Sequence, residues 1–258
     1  MLTWTDSHTH ADFYKTPEER ADCMQRALAA GVNKLIVPGV DSSTIESVVT
    51  HCQAYPLYCF PAIGLHPTEV KENYMEELAI LEKTLHSPKV RYYAIGEVGM
   101  DLYWETQFIE EQKLVLRKQI EWAIQYHLPL IFHVRKAFEE SMQILKDYKN
   151  ENLQGVFHCF SGSVEQAQRI VDQGFYLGIG GVLTFKNSSL PLVVKALPID
   201  AMLLETDAPY LAPSPYRGKE NESAYIPLIG AKLAEIKGLS IEEVARITRE
   251  NADRLFFS

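Results

Sequence analysis

The 258-residue sequence predicts an α/β protein, a single-domain (β/α)8 barrel of the TIM type with 1–258 as one unit. Three observations point there. Short runs rich in Ile, Val, Leu, Phe and Tyr alternate with longer stretches of helical periodicity along the whole chain. The alternation occurs eight times, and no Pro/Ser-rich linker or low-complexity tract divides it. Barrels of this class routinely run to about 250 residues as one domain. An open, doubly wound sheet is the alternative that the same pattern allows.

In chain order, strands are expected near 2–7, 33–38, 57–64, 90–96, 129–134, 155–160, 175–180 and 201–206. Helix starts are readable between them. Thr16-Pro17-Glu18-Glu19 offers a cap residue, a proline in the first turn and a glutamate three residues beyond the cap, and Ser43-Thr44-Ile45-Glu46 offers a similar box. From Gln107 to Tyr126, Ile109, Leu116, Ile120, Ala123 and Ile124 make one apolar stripe, which predicts a long helix. Ser240-Ile241-Glu242-Glu243 opens a last helix whose core-facing stripe is Val244, Ile247, Ala252 and Leu255.

With 47% hydrophobic and 23% charged residues, the chain can bury a large core. It shows no basic start followed by an apolar run, and no apolar segment long enough to span a bilayer, so a cytoplasmic protein without membrane contact is expected. Cys23, Cys52, Cys59 and Cys159 form no C-x-x-C pair and read as buried thiols in a reducing compartment. The formal charge of −9 argues against a broad basic surface, so any nucleic acid must be gripped locally. Two divalent ions in one pocket would add positive charge where a phosphate sits. No heptad run marks a protein partner, and a monomer is the default.

Chemistry-bearing residues recur where the expected strands end, the face on which barrel enzymes carry their reactions. His8 and His10 follow the first strand at i and i+2, and a strand's period of two points both rings to one side. Glu97 comes after Ala94-Ile95-Gly96 and before Gly99, where the backbone can turn sharply; the bland alternative is a solvated loop glutamate. His133 ends the run Pro129-Leu130-Ile131-Phe132, and His158 ends Gly155-Val156-Phe157. Either ring alone could be a hydrogen-bonded core histidine. Asp207 closes Met202-Leu203-Leu204-Glu205-Thr206 and precedes Ala208-Pro209, where it could bind metal, accept a proton or cap a loop.

Jointly these four histidines and two carboxylates predict a metal site. Imidazole and carboxylate suit Zn²⁺ first, then Mn²⁺ or Fe²⁺, whereas Mg²⁺ usually takes more oxygen. Six ligands exceed what one catalytic zinc uses, so two divalent ions are expected. His8, His10 and Asp207 are assigned to one ion, His133 and His158 to the other, with Glu97 as the bridge. His51, His86 and His127 fall in or at the ends of helices, are expected to be exposed, and are left out.

The motifs Asp6-Ser7-His8-Thr9-His10, Gly64-Leu65-His66-Pro67, Gly96-Glu97-Val98-Gly99-Met100-Asp101, His133-Val134-Arg135, His158-Cys159-Phe160-Ser161-Gly162 and Glu205-Thr206-Asp207-Ala208-Pro209-Tyr210 stand in one order along nearly the whole chain. In that order they resemble the TatD-like deoxyribonuclease family of metal-dependent hydrolases, within the amidohydrolase group of barrel enzymes. The resemblance implies a TIM-type barrel, one or two metals and hydrolysis of DNA phosphodiester bonds. It implies that Asp207 and Glu97 are catalytic and that His66, Arg135 and Arg217 lie near the substrate phosphate. Asp207 would be the proton acceptor from a water that the metals acidify. The stretch from Arg217 to Ser223 lacks the family's usual proline after Asn-Glu, which implies a differently set substrate loop.

Two rivals stay open. The same metals would polarise a carbonyl, which allows a small amide, ester or lactone as substrate, and a non-catalytic metal-binding barrel would keep the same ligands. No G-x-S-x-G elbow supports a serine hydrolase. Gly178-Ile179-Gly180-Gly181 lacks the dinucleotide fingerprint, and its glycines are expected to admit close backbone packing instead.

Overall fold

In the computed structural model, which describes residues 2–86 and 90–258, the apolar runs form eight parallel strands. The expected unit 1–258 includes Met1 and residues 87–89, which lie outside the described residues. The strands are β1 (Trp4–Asp6), β2 (Val32–Val37), β3 (Cys59–Ile63), β4 (Ala94–Asp101), β5 (Leu130–Arg135), β6 (Gly155–Phe157), β7 (Tyr176–Ile179) and β8 (Met202–Leu204). Each pairs with its neighbours in chain order. The seam between β8 and β1 is bridged where Ser7 N donates to Leu204 O (2.9 Å), Asp207 N to His8 O (2.9 Å) and His10 N to Ala208 O (2.8 Å). This is the TIM-type barrel, not the open sheet.

Helices cover the outside: α1 (Pro17–Ala29), α2 (Ile45–Ala54), α3 (Tyr74–Leu85), α4 (Ile109–Tyr126), α5 (Phe138–Lys146), α6 (Val164–Val171), α7 (Leu190–Ala196), α8 (Ile226–Lys237) and α9 (Ile241–Phe256). The box at Thr16 forms as expected: its hydroxyl accepts from Glu19 N while Glu19 Oε2 accepts from Thr16 N, both at 3.1 Å. The second box lies earlier than expected. Asp41, not Ser43, caps a short 3₁₀ turn over Ser42–Thr44, because its carboxylate reaches Thr44 N at 3.1 Å, and α2 begins only at Ile45. Among the described residues no helix is long and apolar enough to cross a membrane.

One strand departs from expectation in a way that matters. β4 runs on to Asp101, paired with β5 as far as Arg135, so Glu97 lies inside a strand rather than after it. The ladder shifts register between Ile95 and Val98, and such an irregularity re-aims the side chains within it. Gly99 tolerates this local geometry with φ +141°, and a Cβ there would stand 1.9 Å from His133 O.

Two apolar clusters fill the molecule. The larger packs the outward faces of the strands, with Leu35, Ile63, Ile95 and Phe132 among them, against the helices. The smaller joins Ile36, Ala62, Ala94, Ile131, Val156 and Leu203, the alternate residues of six strands, to Ala252, Leu255 and Phe256 of α9. These fill the barrel's interior, and the end of α9 closes its floor. Lys34 on β2 reaches down to it, 2.5 Å from Asp253 and 4.4 Å above the Phe257 ring.

Two expectations about burial need correction. His51 is buried, not exposed, because α2 turns it onto β3, where Nε2 lies 3.7 Å from Cys59 Sγ; His86 and His127 are exposed. Cys52 and Cys59 are buried, whereas Cys23 and Cys159 keep partial access.

Candidate metal centre

The site forms just above the apolar filling. Two residues beyond Ile131 and Val156, the same inward-facing phase of β5 and β6 presents His133 and His158. Two beyond Leu203 comes Glu205, and two further comes Asp207. His8 and His10 enter from the stretch after β1, held extended where Thr9 N donates to Ile36 O (3.1 Å) and by the seam bonds to residues 207 and 208. Asp207 adopts φ 56°, a left-handed conformation that short polar residues tolerate best and that gathers at functional sites.

Glu97 stands at the centre, and its two oxygens face different sets of rings. Oε2 lies 3.3 Å from His8 Nε2 and 3.7 Å from His10 Nε2. Oε1 lies 2.7 Å from His158 Nε2, 3.0 Å from His133 Nδ1 and 3.2 Å from His66 Nε2. On the Oε2 side, His8 Nε2 and His10 Nε2 are 3.3 Å apart, with Asp207 Oδ1 at 3.5 and 3.7 Å. All six expected ligands therefore meet in one cluster, and His66 joins them on Glu97 itself.

Burial sets the protonation of the Oε2 side: it drives His8 down to about 3 and His10 to about 4, leaving neutral rings with lone pairs to offer. It also lowers His66 and pushes Asp207 up to about 7. Burial works against charge on Glu97 as well, but His158, His66 and His8 hold its carboxyl well below the usual range. His158 is raised to about 10, because Glu97, Glu205 and Asp207 outweigh the effect of burial.

Among the described residues, three groups of donor atoms lie mutually within 4.8 Å: His8, His10 and Asp207; His8, Glu97 and His158; and His66, Glu97 and His133. Imidazole nitrogens and carboxylate oxygens at such spacing could hold divalent cations of the transition series, so the donor set fits a metal. The cluster floors a cleft of about 730 Å³ whose walls include His10, His66, Trp104, Arg135, Ser161 and Tyr210. Arg135 is thus at the cleft. Arg217 is exposed, its guanidinium 4.4 Å over the Phe185 ring, and is not one of the cleft-lining residues.

The family model described as TatD related DNase matches residues 5–257. The chain belongs to the TatD family. It is a TatD-family metal-dependent hydrolase, and similarity to known members runs end to end. It is 40% identical over 257 residues to the uncharacterized metal-dependent hydrolase YabD of Bacillus subtilis strain 168, covering 99% of each chain. It is 30% identical over 245 residues to the 3'-5' ssDNA/RNA exonuclease TatD of Erwinia tasmaniensis, covering 93% of this chain and 94% of that protein. The crystal structure of YjjV, a TatD homologue from Escherichia coli K12, superposes with a TM-score of 0.92 at 31% identity, covering 99% of this chain and 98% of that one.

In this TatD-family chain, three buried carboxylates beyond the six expected ligands support the cluster. Asp101 Oδ2 lies 2.9 Å from His133 Nε2, which turns Nδ1 of that ring toward Glu97. Glu205 accepts from Cys159 N and stands 3.8 Å behind His158 Nδ1. Room for it comes from Gly178, where a Cβ would sit 2.2 Å from Glu205 Oε2. Asp6 ties β1 to the end of β8 by accepting from Thr206 N (2.9 Å) and Thr206 Oγ1 (2.6 Å). All three stand inside the quoted motifs, two or four residues from a ligand candidate in the same strand phase, and that parity was the available signal.

Proposed function

We propose that this protein is a deoxyribonuclease that hydrolyses phosphodiester bonds of DNA at a centre for two divalent cations, zinc first, with Mn, Fe or Mg as the alternatives. The observation that carries the reading is the division of Glu97, whose two oxygens address two separate sets of donors. His8, His10 and Asp207 would hold one cation, His133 and His158 the other, and Glu97 would bridge them. Bound there, the cations would supply an acidified water and stabilise charge developing on a phosphoryl oxygen.

The chain's own groups do the rest. Asp207, at the end of β8 beside His8 and His10, would accept the proton of the attacking water. Asp101 holds the ring of His133 in place, and Glu205 sets a buried carboxylate 3.8 Å behind His158 Nδ1. Arg135 at the cleft wall offers a planar fork to phosphate oxygens, and His66, on the Oε1 side of Glu97, also lines the cleft. Arg217 would have to leave Phe185 to reach a phosphate. The name of the Erwinia relative, an exonuclease on single-stranded DNA and RNA, supports a nucleic-acid substrate.

The test uses purified protein loaded with zinc or manganese, with Asp207→Asn as the inactive control. Single-stranded DNA is expected to be cleaved by the wild type only. Hydrolysis of lactones or N-acyl compounds with DNA left intact would transfer the site to carbonyl chemistry. Failure of any transition metal to load, in a protein that His8→Ala leaves unchanged, would remove the metal centre.

A further inference from the structure

We infer that Trp104, with Tyr103 beside it, is a stacking platform for a nucleobase of a single-stranded substrate, adjoining the phosphate held by Arg135. The inference rests on the nuclease reading and names the groups that would receive a base.

Of the three tryptophans, Trp4 and Trp122 are 1% exposed, whereas Trp104 is 68% exposed and Tyr103 44%. Large aromatic surface left in water at a cleft wall marks a binding surface more often than chance exposure does. The two rings meet edge to face, with centroids 4.6 Å apart. They are fixed to the metal cluster rather than carried on a free loop. Tyr103 N and Trp104 N donate to Asp101 Oδ1 at 2.8 and 2.7 Å, and the other oxygen of that carboxylate meets His133 Nε2. One buried carboxylate thus sets both the site ring and the aromatic turn.

Two cations lie against these rings. The Arg135 guanidinium lies 4.4 Å over Tyr103 and 5.3 Å from the Trp104 ring, and the Lys136 ammonium lies 4.8 Å over Tyr103. Across the same cleft stand Tyr210, 53% exposed, and Leu211, 41% exposed. Cations for phosphates beside flat apolar surfaces for bases form the combination by which single strands are bound. A duplex hides the faces of its bases and could use only the cations. The formal charge of −9 points the same way, since a chain without a broad basic surface gains less from counterion release and more from stacking.

The experiment is a fluorescence titration of the metal-loaded protein with a phosphorothioate oligothymidylate, whose linkages resist hydrolysis. With the other tryptophans buried, quenching reports Trp104. Quenching by this strand, with little by a matched abasic strand, is expected. Trp104→Ala is expected to weaken binding, followed by anisotropy of a labelled strand, by about 5- to 150-fold. Trp104→Phe should keep most of the affinity, and at 68% exposure neither change threatens folding. Equal binding by wild type and Trp104→Ala, or equal quenching by the abasic strand, would overturn the platform. Cleavage of ordinary oligothymidylate by the wild type is scored separately: if it proceeds while Trp104→Ala binds normally, the platform alone falls. If the wild type neither binds nor cleaves any strand, the nuclease reading falls with it. A planar aromatic ester that quenches Trp104 where oligothymidylate does not would also refute the assignment to a nucleobase.

Discussion

The lower and upper halves of the barrel interior are built by the same strands, two residues apart, and they do opposite things. Below, Ile36, Ala62, Ala94, Ile131, Val156 and Leu203 pack onto one another and onto the end of α9. Above, the same phase of the strands presents His133, His158, Glu205 and Asp207, and a register shift in β4 brings in Glu97. The lower layer gains stability by removing apolar surface from water. In the upper layer, burial acts against charge on Asp207 and Glu205, pushing them up to about 7 and about 8, so this layer is bought at the expense of stability. Stability and chemistry are thus segregated along one strand direction, and each layer is expected to be alterable without the other.

That separation can be broken or sharpened by substitution. The largest effect is expected from Asp207→Asn, which should lower kcat on single-stranded DNA by about 10²- to 10⁴-fold. The urea midpoint of the metal-free protein should not fall, because the fold already disfavours this carboxylate's charge. Phe256→Ala in the floor should do the reverse, costing about 3–5 kcal/mol in urea unfolding while kcat per folded molecule holds. If both variants lost activity and stability together, the two layers would not be separable.

A buried histidine outside the site gives the next contrast. Burial lowers His51 from 6.5 to about 4, so the native ring stays neutral while the unfolded chain takes up a proton as the pH falls below 6.5. Its contribution is complete above that value and is lost as the pH falls toward 4, by up to about 3 kcal/mol. Unfolding of metal-free wild type and His51→Gln at neutral pH and at pH about 5 should show the steeper acid loss in the wild type. Equal slopes would refute this account of His51. The smallest effect belongs to Asp101→Asn: zinc affinity by competition with a chelator should drop about 10- to 100-fold. Unchanged affinity would mean that His133 orients itself.

Much of this was legible in the sequence because a strand's period is an integer. His8, His10, His133 and His158 could be placed at strand ends by counting, and the structure gathers them. Glu97 was recognisable as a residue but not as a place, since its orientation comes from a shift in the pairing of β4 with β5 that no local pattern encodes. Asp101 and Glu205 stood inside the motifs without a role, because what they do depends on the rings of His133 and His158, 32 and 47 residues away, that the closed barrel sets beside them. His51 was misplaced for a related reason: at the border of an apolar helix face, only the packed neighbour decides which side a ring takes. The stripe of the last helix was readable, but Phe256 beneath the barrel was not, since the periodicity of a helix does not say that its end turns under the sheet.

The placement of that floor has a consequence for the order of assembly. Ile36 and Ala62 are translated early, yet the surface that covers them from below comes from residues 252–257, at least 190 positions later. Until those residues have left the ribosome, a nascent chain carries an unsealed apolar ring of strands, the kind of surface on which chaperones act and aggregates nucleate. The contacts of Lys34 with Asp253 and Phe257 then join a strand made early to the residues that close the floor.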